Sequence, residues 1–152
     1  MSAGAAVRTL LSSSPIVWFD VVRTGATAAV VEIGLRTVSL ARIARVLGVQ
    51  LRLDGASGGI RDLSQLCLTR REQQRLDVAW RVLRRRPFNG TCLRRALVGA
   101  RILRKRDHAV RIGVRKADGR IAAHAWIEID GVSLDPAAID TFKALAPVRI
   151  AR

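Results

Sequence analysis

The sequence predicts an α+β fold, with helices in its first two thirds and an antiparallel sheet behind them. Apolar residues recur with the 3.6-residue period of helices as far as about Lys105, and with the two-residue period of strands from Ala109 onward. Turn-forming residues separate these segments. We therefore expect residues 1–68 to form an N-terminal helical region and residues 69–152 to form a core in which a helix packs on the sheet, the two parts making one compact unit.

Length and composition support a folded domain. A domain of about 150 residues buries roughly 68–70% of its unfolded surface, so a core forms without metals or disulfides. Hydrophobic residues make up 49% of the 152, which excludes a disordered chain. Cys67 and Cys92 could close at most one bridge, and we expect a reducing, cytoplasmic setting. We expect neither a secretory signal nor a membrane span, because charged or polar residues interrupt every apolar run.

The N-terminal region is predicted to become helical at Pro15, which follows Ser14 as a first-turn proline follows a cap residue. Between residues 30 and 47 the apolar spacing predicts an amphipathic helix on the core, although a basic helix of this kind could also lie on an anionic membrane. Its expected buried residues are Val30, Val31, Ile33, Val38, Ala41, Val46 and Leu47. Residues 54–59 (DGASGG) predict a loop.

Two further helices are predicted before the sheet. Thr69 and Glu72 have capping-box spacing and open a helix that ends before Pro87. After a short turn, a second helix runs from Cys92 to about Lys105. The expected inward-facing residues are Leu76, Ala79, Trp80 and Leu83 in the first helix, and Leu93, Ala96, Leu97, Ala100 and Leu103 in the second.

The C-terminal part predicts three strands joined by turns. Residues 109–115 and 120–129 read as two strands joined by a four-residue turn. Asp130 and Gly131 are a two-residue hairpin signal into a third strand. The charged residues before the first strand predict a loop that contains His108.

The charge balance raises the question of a nucleic-acid partner. Lysine and arginine number 27 against 12 acidic residues, for a net charge of +15. The excess is spread over the chain, with 14 basic and 6 acidic residues in 1–90 and 13 and 6 in 91–152, and only 4% of residues are aromatic. Nucleic-acid binders usually concentrate their charge and interleave it with stacking aromatics. The composition therefore does not favour nucleic acid, and fits either an arginine-rich coding bias or an acidic partner.

Cys92 is the first candidate for chemistry. It lies at the start of a predicted helix, next to Thr91 as a candidate cap, where unpaired backbone N–H groups and the helix dipole favour a thiolate. The same N–H groups are placed to stabilise an oxyanion on an attacked carbonyl. The alternative is a small cysteine that only packs.

His124 and Asp135 complete a candidate triad with Cys92. His124 lies in mid-strand between two alanines, which leave its ring room to act as a general base, although a buried structural histidine would suit the same position. Asp130 lies six residues along the same strand, about 20 Å away, which is too far to orient the imidazole. A tight turn after the strand makes Asp135 the cross-strand partner of Trp126 and a diagonal neighbour of His124.

Three segments then resemble a known family in chain order: TCLRRALVGARILRK, VRIGV and AAHAWIEIDGVSLDP, all within residues 87–136. They resemble the transglutaminase-like cysteine peptidases that mature lasso peptides, in the form in which the protease half of the B protein stands alone. The resemblance implies a transglutaminase-like core with Cys92 as nucleophile, His124 as base and Asp135 as the orienting acid. Asp107 departs from the family, which often has glycine in that turn.

The resemblance also implies a reaction and its partners. The enzyme would remove the leader from a precursor peptide, with the help of a separately encoded leader-recognition protein, before a separate macrolactam cyclase, itself a candidate partner, closes the ring. We expect no cofactor and no metal, because the sequence has neither a Walker motif nor clustered metal ligands. Asn89 is a candidate second oxyanion donor and Trp126 a candidate wall of the substrate groove, although turn formation and core packing explain them equally well.

Two other functions are compatible with the sequence. An acyl transferase of the transglutaminase type would use the same three residues with an amine as the acceptor. A non-catalytic basic module that binds nucleic acid or membrane would leave Cys92 as a packing residue. The mass of the product distinguishes acyl transfer from hydrolysis, and substitution of Cys92 distinguishes a binding module from an enzyme.

Overall fold

The computed structural model describes residues 15–53, 66–117, 119–135 and 142–144. Four helices precede the sheet in these ranges: α1 (Pro15–Thr37), α2 (Leu40–Leu47), α3 (Arg70–Leu83) and α4 (Cys92–Ile102). The strands are β1 (His108–Ala117), β2 (Arg120–Ile129), β3 (Val132–Ser133) and β4 (Lys143–Ala144). No helix in these ranges has the length and hydropathy that crossing a bilayer requires. The α+β class is confirmed, and the loop predicted at residues 54–59 lies outside the described residues.

The sheet is antiparallel, with its strands in the order β3-β2-β1-β4. β1 and β2 pair over their full length, which leaves a two-residue connection where we expected four. Asp130 and Gly131 both have positive φ angles, 50° and 78°, as a type I′ hairpin turn requires. Ile129 therefore pairs with Val132, which confirms the predicted tight turn into β3.

The starts of α3 and α4 are as predicted. The Thr69 hydroxyl accepts a hydrogen bond from the backbone N–H of Glu72, and the Glu72 carboxylate accepts one from the backbone N–H of Thr69. This reciprocal pair is the predicted capping box. α4 begins at Cys92 but ends at Ile102, three residues earlier than expected, and Leu103 follows it as a buried cap.

The amphipathic helix predicted between residues 30 and 47 is broken into two. Val31 and Leu47 are buried as predicted. The other predicted core residues of this segment are exposed: Val30, Ile33, Val38, Ala41 and Val46. Ile43 and Ala44 are buried in their place, because the break between α1 and α2 shifts the phase of the second helix relative to the first.

His108 lies in the sheet, so its assignment to a loop was wrong. It is the first residue of β1 and is buried. Its Nδ1 lies 2.9 Å from the carbonyl oxygen of Arg106, and its Nε2 accepts a hydrogen bond from the backbone N–H of Gln50. The ring thereby holds the segment after α2 against β1, beside a parallel bridge between Leu51 and Val110. The charged residues around His108 in the sequence led to the loop prediction, although the histidine has a structural role.

One hydrophobic core joins the helices to the sheet. Its buried side chains include Val31, Ile43, Leu47, Leu76, Leu83, Leu97, Leu103, Val110, Ile127 and Ile129. α4 packs directly on β2, and Gly99 permits this close approach, because a Cβ there would lie 2.5 Å from Cδ1 of Ile127 and 2.9 Å from the Trp80 ring. The helix that begins at Cys92 is thus held against the strand that carries His124.

Candidate active site

A cleft of about 240 Å³ lies between the start of α4 and β2. Cys92 and Arg95 of α4, His124 and Trp126 of β2, and Asp135 after β3 all line it. The three residues of the candidate triad therefore share one cavity. The other lining residues are apolar or aromatic: Leu76, Trp80, Ala96, Ala125, Ile127 and Leu134.

The thiol of Cys92 is placed by the start of α4. Cys92 is the first helical residue and is partly exposed. Thr91 occupies the cap position with an extended backbone, but its side chain makes no cap hydrogen bond. Its hydroxyl instead accepts a hydrogen bond from Arg94. The Thr91 side chain therefore leaves the backbone N–H groups next to the thiol free. An oxyanion site requires free N–H donors of this kind.

Arg94 ties the first turn of α4 to α1. Its Nε lies 2.6 Å from Oε2 of Glu32, and Arg36 binds the other carboxylate oxygen. The hydrogen bond from Arg94 holds the pKa of the Glu32 carboxyl below its ordinary value, and Arg36 adds to the effect. The start of α4, and with it the position of Cys92, is thus tied by an ion pair to the N-terminal helices.

His124 and Asp135 form a hydrogen-bonded pair, with His124 Nε2 2.9 Å from Asp135 Oδ2. Since an ionised carboxylate only accepts hydrogen bonds, the neutral imidazole carries its proton on Nε2 and keeps a lone pair on Nδ1. Ser133 orients the acid, because its hydroxyl donates to the Asp135 carbonyl and accepts from the Asp135 N–H. A base held by an orienting acid is the arrangement that an activated nucleophile needs, and the geometry of this pair suits those two roles.

Two aromatic rings pack against the imidazole of His124. The Trp126 ring lies 6.3 Å away between centroids with an interplanar angle of 15°, and the Phe142 ring lies 5.1 Å away at 30°. Trp126 is 2% exposed, so it is at once a wall of the cleft and part of the packed interior. The two rings limit the rotation of the imidazole and keep Nε2 towards Asp135.

Asn89 is placed differently from the triad. Its side chain is exposed in the turn before α4, and it is not among the described residues that line the cleft. Its carbonyl oxygen accepts a hydrogen bond from the backbone N–H of Thr91, which is a turn contact. Its role as an oxyanion donor stays a prediction. In the part of the chain that the structure describes, no group of three potential ligands is placed to hold a metal ion.

The comparison with protein families agrees with this geometry. The profile of the transglutaminase-like superfamily matches residues 26–147. The chain belongs to the transglutaminase-like superfamily. Members of this superfamily usually have cysteine hydrolase or transferase activity, and the matched range includes all three triad residues. It begins within α1, so most of the helical region belongs to the match as well. No curated protein and no solved structure is significantly similar to the chain.

Three residues at or beside the candidate site were not expected from the sequence: Gly113, Phe142 and Arg95. Gly113 pairs with His124 across the strands, and a Cβ there would lie 2.9 Å from the Trp126 ring and from Cβ of Phe142. A glycine inside a strand was the available signal for such a close approach. Phe142 gave no signal, because its contact with His124 depends on the path of the chain after β3. Arg95 gave no signal either, because the sequence does not distinguish it from the adjacent Arg94 or from the many other arginines.

Proposed function

We propose that this transglutaminase-like protein is a cysteine peptidase that removes the leader from a lasso-peptide precursor before a separate cyclase closes the macrolactam ring. The observation that carries a cysteine-based reaction is the meeting of Cys92 with the hydrogen-bonded His124–Asp135 pair in one cleft. The choice of a leader as the group removed is supported by the segments around these residues, which resemble the stand-alone maturation proteases.

In the acylation step, Nδ1 of His124 takes the thiol proton and the Cys92 sulfur attacks the carbonyl carbon of the last leader residue. A C–S bond forms, and the backbone N–H groups at the start of α4, including that of Cys92, bind the resulting oxyanion. When the intermediate collapses, the scissile C–N bond breaks. The imidazolium gives its proton to the leaving nitrogen, so that the core peptide departs with a free amine.

In the deacylation step, a water molecule loses a proton to His124 and attacks the leader thioester. The C–S bond breaks, the leader leaves as a carboxylic acid, and the proton returns to the Cys92 sulfur. Asp135 remains ionised throughout, because its task is to hold the imidazole and to stabilise the imidazolium. The same acyl-enzyme would serve a transferase if an amine replaced water.

The substrate and partners of the proposed reaction are peptides and proteins. The precursor peptide is the substrate, and a separately encoded leader-recognition protein presents it. The macrolactam cyclase acts on the released core, and is a further candidate for direct contact. We place the reaction in the cytoplasm, where precursor peptides are made.

The test is cleavage of a precursor peptide in the presence of its leader-recognition protein, followed by mass spectrometry. We expect two products whose masses add up to the precursor plus one water. Cys92→Ala should abolish both products while its unfolding temperature stays close to that of the wild type. Cys67→Ala is the matched control, because Cys67 is the other free cysteine and is exposed. Cleavage by Cys92→Ala, or a product that gains mass without a cut, would contradict the proposal.

A further inference from the structure

We propose that Arg95 binds a carboxylate of the substrate, so that the cleft selects peptides with an acidic group beside the reacting carbonyl. The inference rests on the proposed function in that it takes Cys92 as the residue that reacts. It adds the chemical class of the substrate, which neither the family nor the triad specifies.

The position of Arg95 relative to Cys92 is the first observation. The two residues lie three apart in α4, and such neighbours share a helix face with their Cβ atoms about 5–6 Å apart. Both line the cleft. A guanidinium on this side chain therefore reaches the space next to a carbonyl that is bound at the Cys92 sulfur.

The contacts of Arg95 are the second observation. The neighbouring Arg94 has a structural role, because its Nε forms an ion pair with Oε2 of Glu32 at 2.6 Å. Arg95 has no carboxylate partner among the described residues, and its guanidinium lies over the Trp80 ring, 4.9 Å from the centroid. A cation–π contact of this kind holds the guanidinium beside the indole without using its N–H groups, which stay available to an anion.

The charge of the cleft is the third observation. Asp135 is the single carboxylate among the described lining residues, and it is held by His124. The remaining walls are apolar or aromatic, so they cannot neutralise a guanidinium. A planar, unpaired guanidinium in such a cleft matches a carboxylate, which it binds through two parallel hydrogen bonds. That carboxylate is either an acidic side chain of the peptide or the carboxyl terminus of the peptide.

The first experiment compares alkylation of Cys92 by iodoacetate, which carries a carboxylate, with alkylation by its neutral analogue iodoacetamide. Rates are measured on the full chain by mass spectrometry, in a Cys67→Ser background that leaves one thiol. The ratio of the two rates cancels any change in the reactivity of the thiol. Because neither reagent needs to be cleaved, the result does not depend on whether the protein removes leaders.

We expect Arg95→Gln to lower the iodoacetate-to-iodoacetamide ratio about tenfold, as loss of a charged hydrogen-bond pair does. Arg95→Lys, which keeps the charge without the planar fork, should lower it less. Arg104→Gln is the matched control, because it removes one exposed charge after α4 and outside the cleft lining. An unchanged ratio in Arg95→Gln, or an equal fall in Arg104→Gln, would overturn the proposal.

A second experiment identifies the source of the carboxylate with the precursor peptide. Each acidic residue near the scissile bond is replaced by its amide, and in a separate peptide the carboxyl terminus is amidated. One of these changes should lower kcat/KM about tenfold for the wild type and leave kcat/KM of Arg95→Gln unchanged. If no change affects the wild type, the proposal is wrong for the peptide substrate, even though the leader peptidase function stands.

Discussion

The hydrogen bond from His124 to Asp135 decides which ring nitrogen is available for chemistry. With Nε2 bound to the carboxylate, Nδ1 is the nitrogen that takes the proton from Cys92 in the proposed reaction. The Asp135 side chain is 44% exposed, so water screens its charge. We infer that Asp135 acts chiefly by holding the tautomer and the ring orientation of the imidazole.

Asp135→Asn tests this role of the acid. The amide keeps a hydrogen-bonding side chain but allows the wrong tautomer and leaves the imidazolium without a counter-charge. We expect kcat for precursor cleavage to fall by roughly 10²- to 10⁴-fold with little change in KM. Asp77→Asn is the matched control, since Asp77 is exposed on α3. A loss in Asp135→Asn no larger than in the control would show that the acid has no part in the reaction.

Gly113→Ala tests the packing that positions His124. The added methyl would overlap the Trp126 ring and Cβ of Phe142 at 2.9 Å, and these rings pack on the imidazole. We expect kcat to fall at least about tenfold, as misplacement of reacting groups does, while KM changes less. The control is Gly25→Ala, where a Cβ meets nothing within 4 Å. Equal kinetics for the two variants would remove Gly113 from the site.

Arg106 links the start of α3 to the turn between β2 and β3. Its guanidinium donates to Glu72 in the capping box, to the Asp130 carboxylate and to the carbonyl oxygen of Cys67. The hydrogen bond from the Thr69 backbone is the largest cause that lowers the pKa of Glu72, and Arg106 adds to it. The capping box is therefore part of the tertiary structure as well as a local helix signal.

The lowered pKa of Glu72 gives a pH-dependent contribution to stability. A carboxyl with a lowered folded-state pKa stabilises the protein above its unfolded pKa, and loses that effect as the pH falls through the folded-state pKa. Glu72→Gln can keep the capping-box hydrogen bond but removes the charge beside Arg106 and the start of α3. We expect it to lower the free energy of unfolding by about 0.5–1 kcal/mol at pH 7, and by much less in strong acid. Urea unfolding at both pH values measures the difference. If the difference in free energy of unfolding between variant and wild type does not change with pH, the ionised carboxylate of Glu72 is not its cause.

Local signals predicted most of the elements, and tertiary contacts account for the failures. The capping box at Thr69 and the turn at Asp130 carry their own backbone signals, so they were predictable. The helix start at Pro15 was predictable too, but the face that α1 buries was not. α1 buries Asp20, which pairs with Arg71 and Arg75 of α3, while apolar residues of α1 face outward. No periodicity within α1 reveals an ion pair with a distant helix.

The candidate site was predictable to the extent that strand register determines it. A two-residue turn places Asp135 near His124, and a helix start places Cys92, so the three positions follow from local rules. Gly113 and Phe142 lie on β1 and beside β4, and their meeting with His124 requires the full sheet order. Arg95 requires knowledge of which arginines already have carboxylate partners, which only the folded chain provides.

Most of the acidic side chains that the structure describes are paired with arginines. Six carboxylates in the described residues bind arginines: Asp20, Glu32, Glu72, Asp107, Glu128 and Asp130. Since these acidic groups are engaged internally, the excess of arginines dominates the outward field of a protein with a net charge of +15. Such a field attracts an acidic partner or leader segment.

Salt dependence tests this steering. We expect kcat/KM for precursor cleavage to fall several-fold as NaCl rises from about 25 to 250 mM, because ions screen long-range attraction. Alkylation of Cys92 by neutral iodoacetamide, measured over the same range, is the control for effects on the thiol. If kcat/KM is insensitive to salt, the charge has no role in substrate association, which would leave an arginine-rich coding bias as its origin.

The proposed function requires Cys92 to form a thioester with the leader, and rapid acid quenching followed by intact-protein mass spectrometry detects that intermediate. Early in the reaction, wild-type protein should carry an adduct with the mass of the leader acyl group, located on Cys92 by peptide mapping. The adduct should be absent from Cys92→Ala and should form far more slowly in His124→Ala. Release of free leader by Cys92→Ala, or a leader adduct on any residue other than Cys92, would contradict the claim.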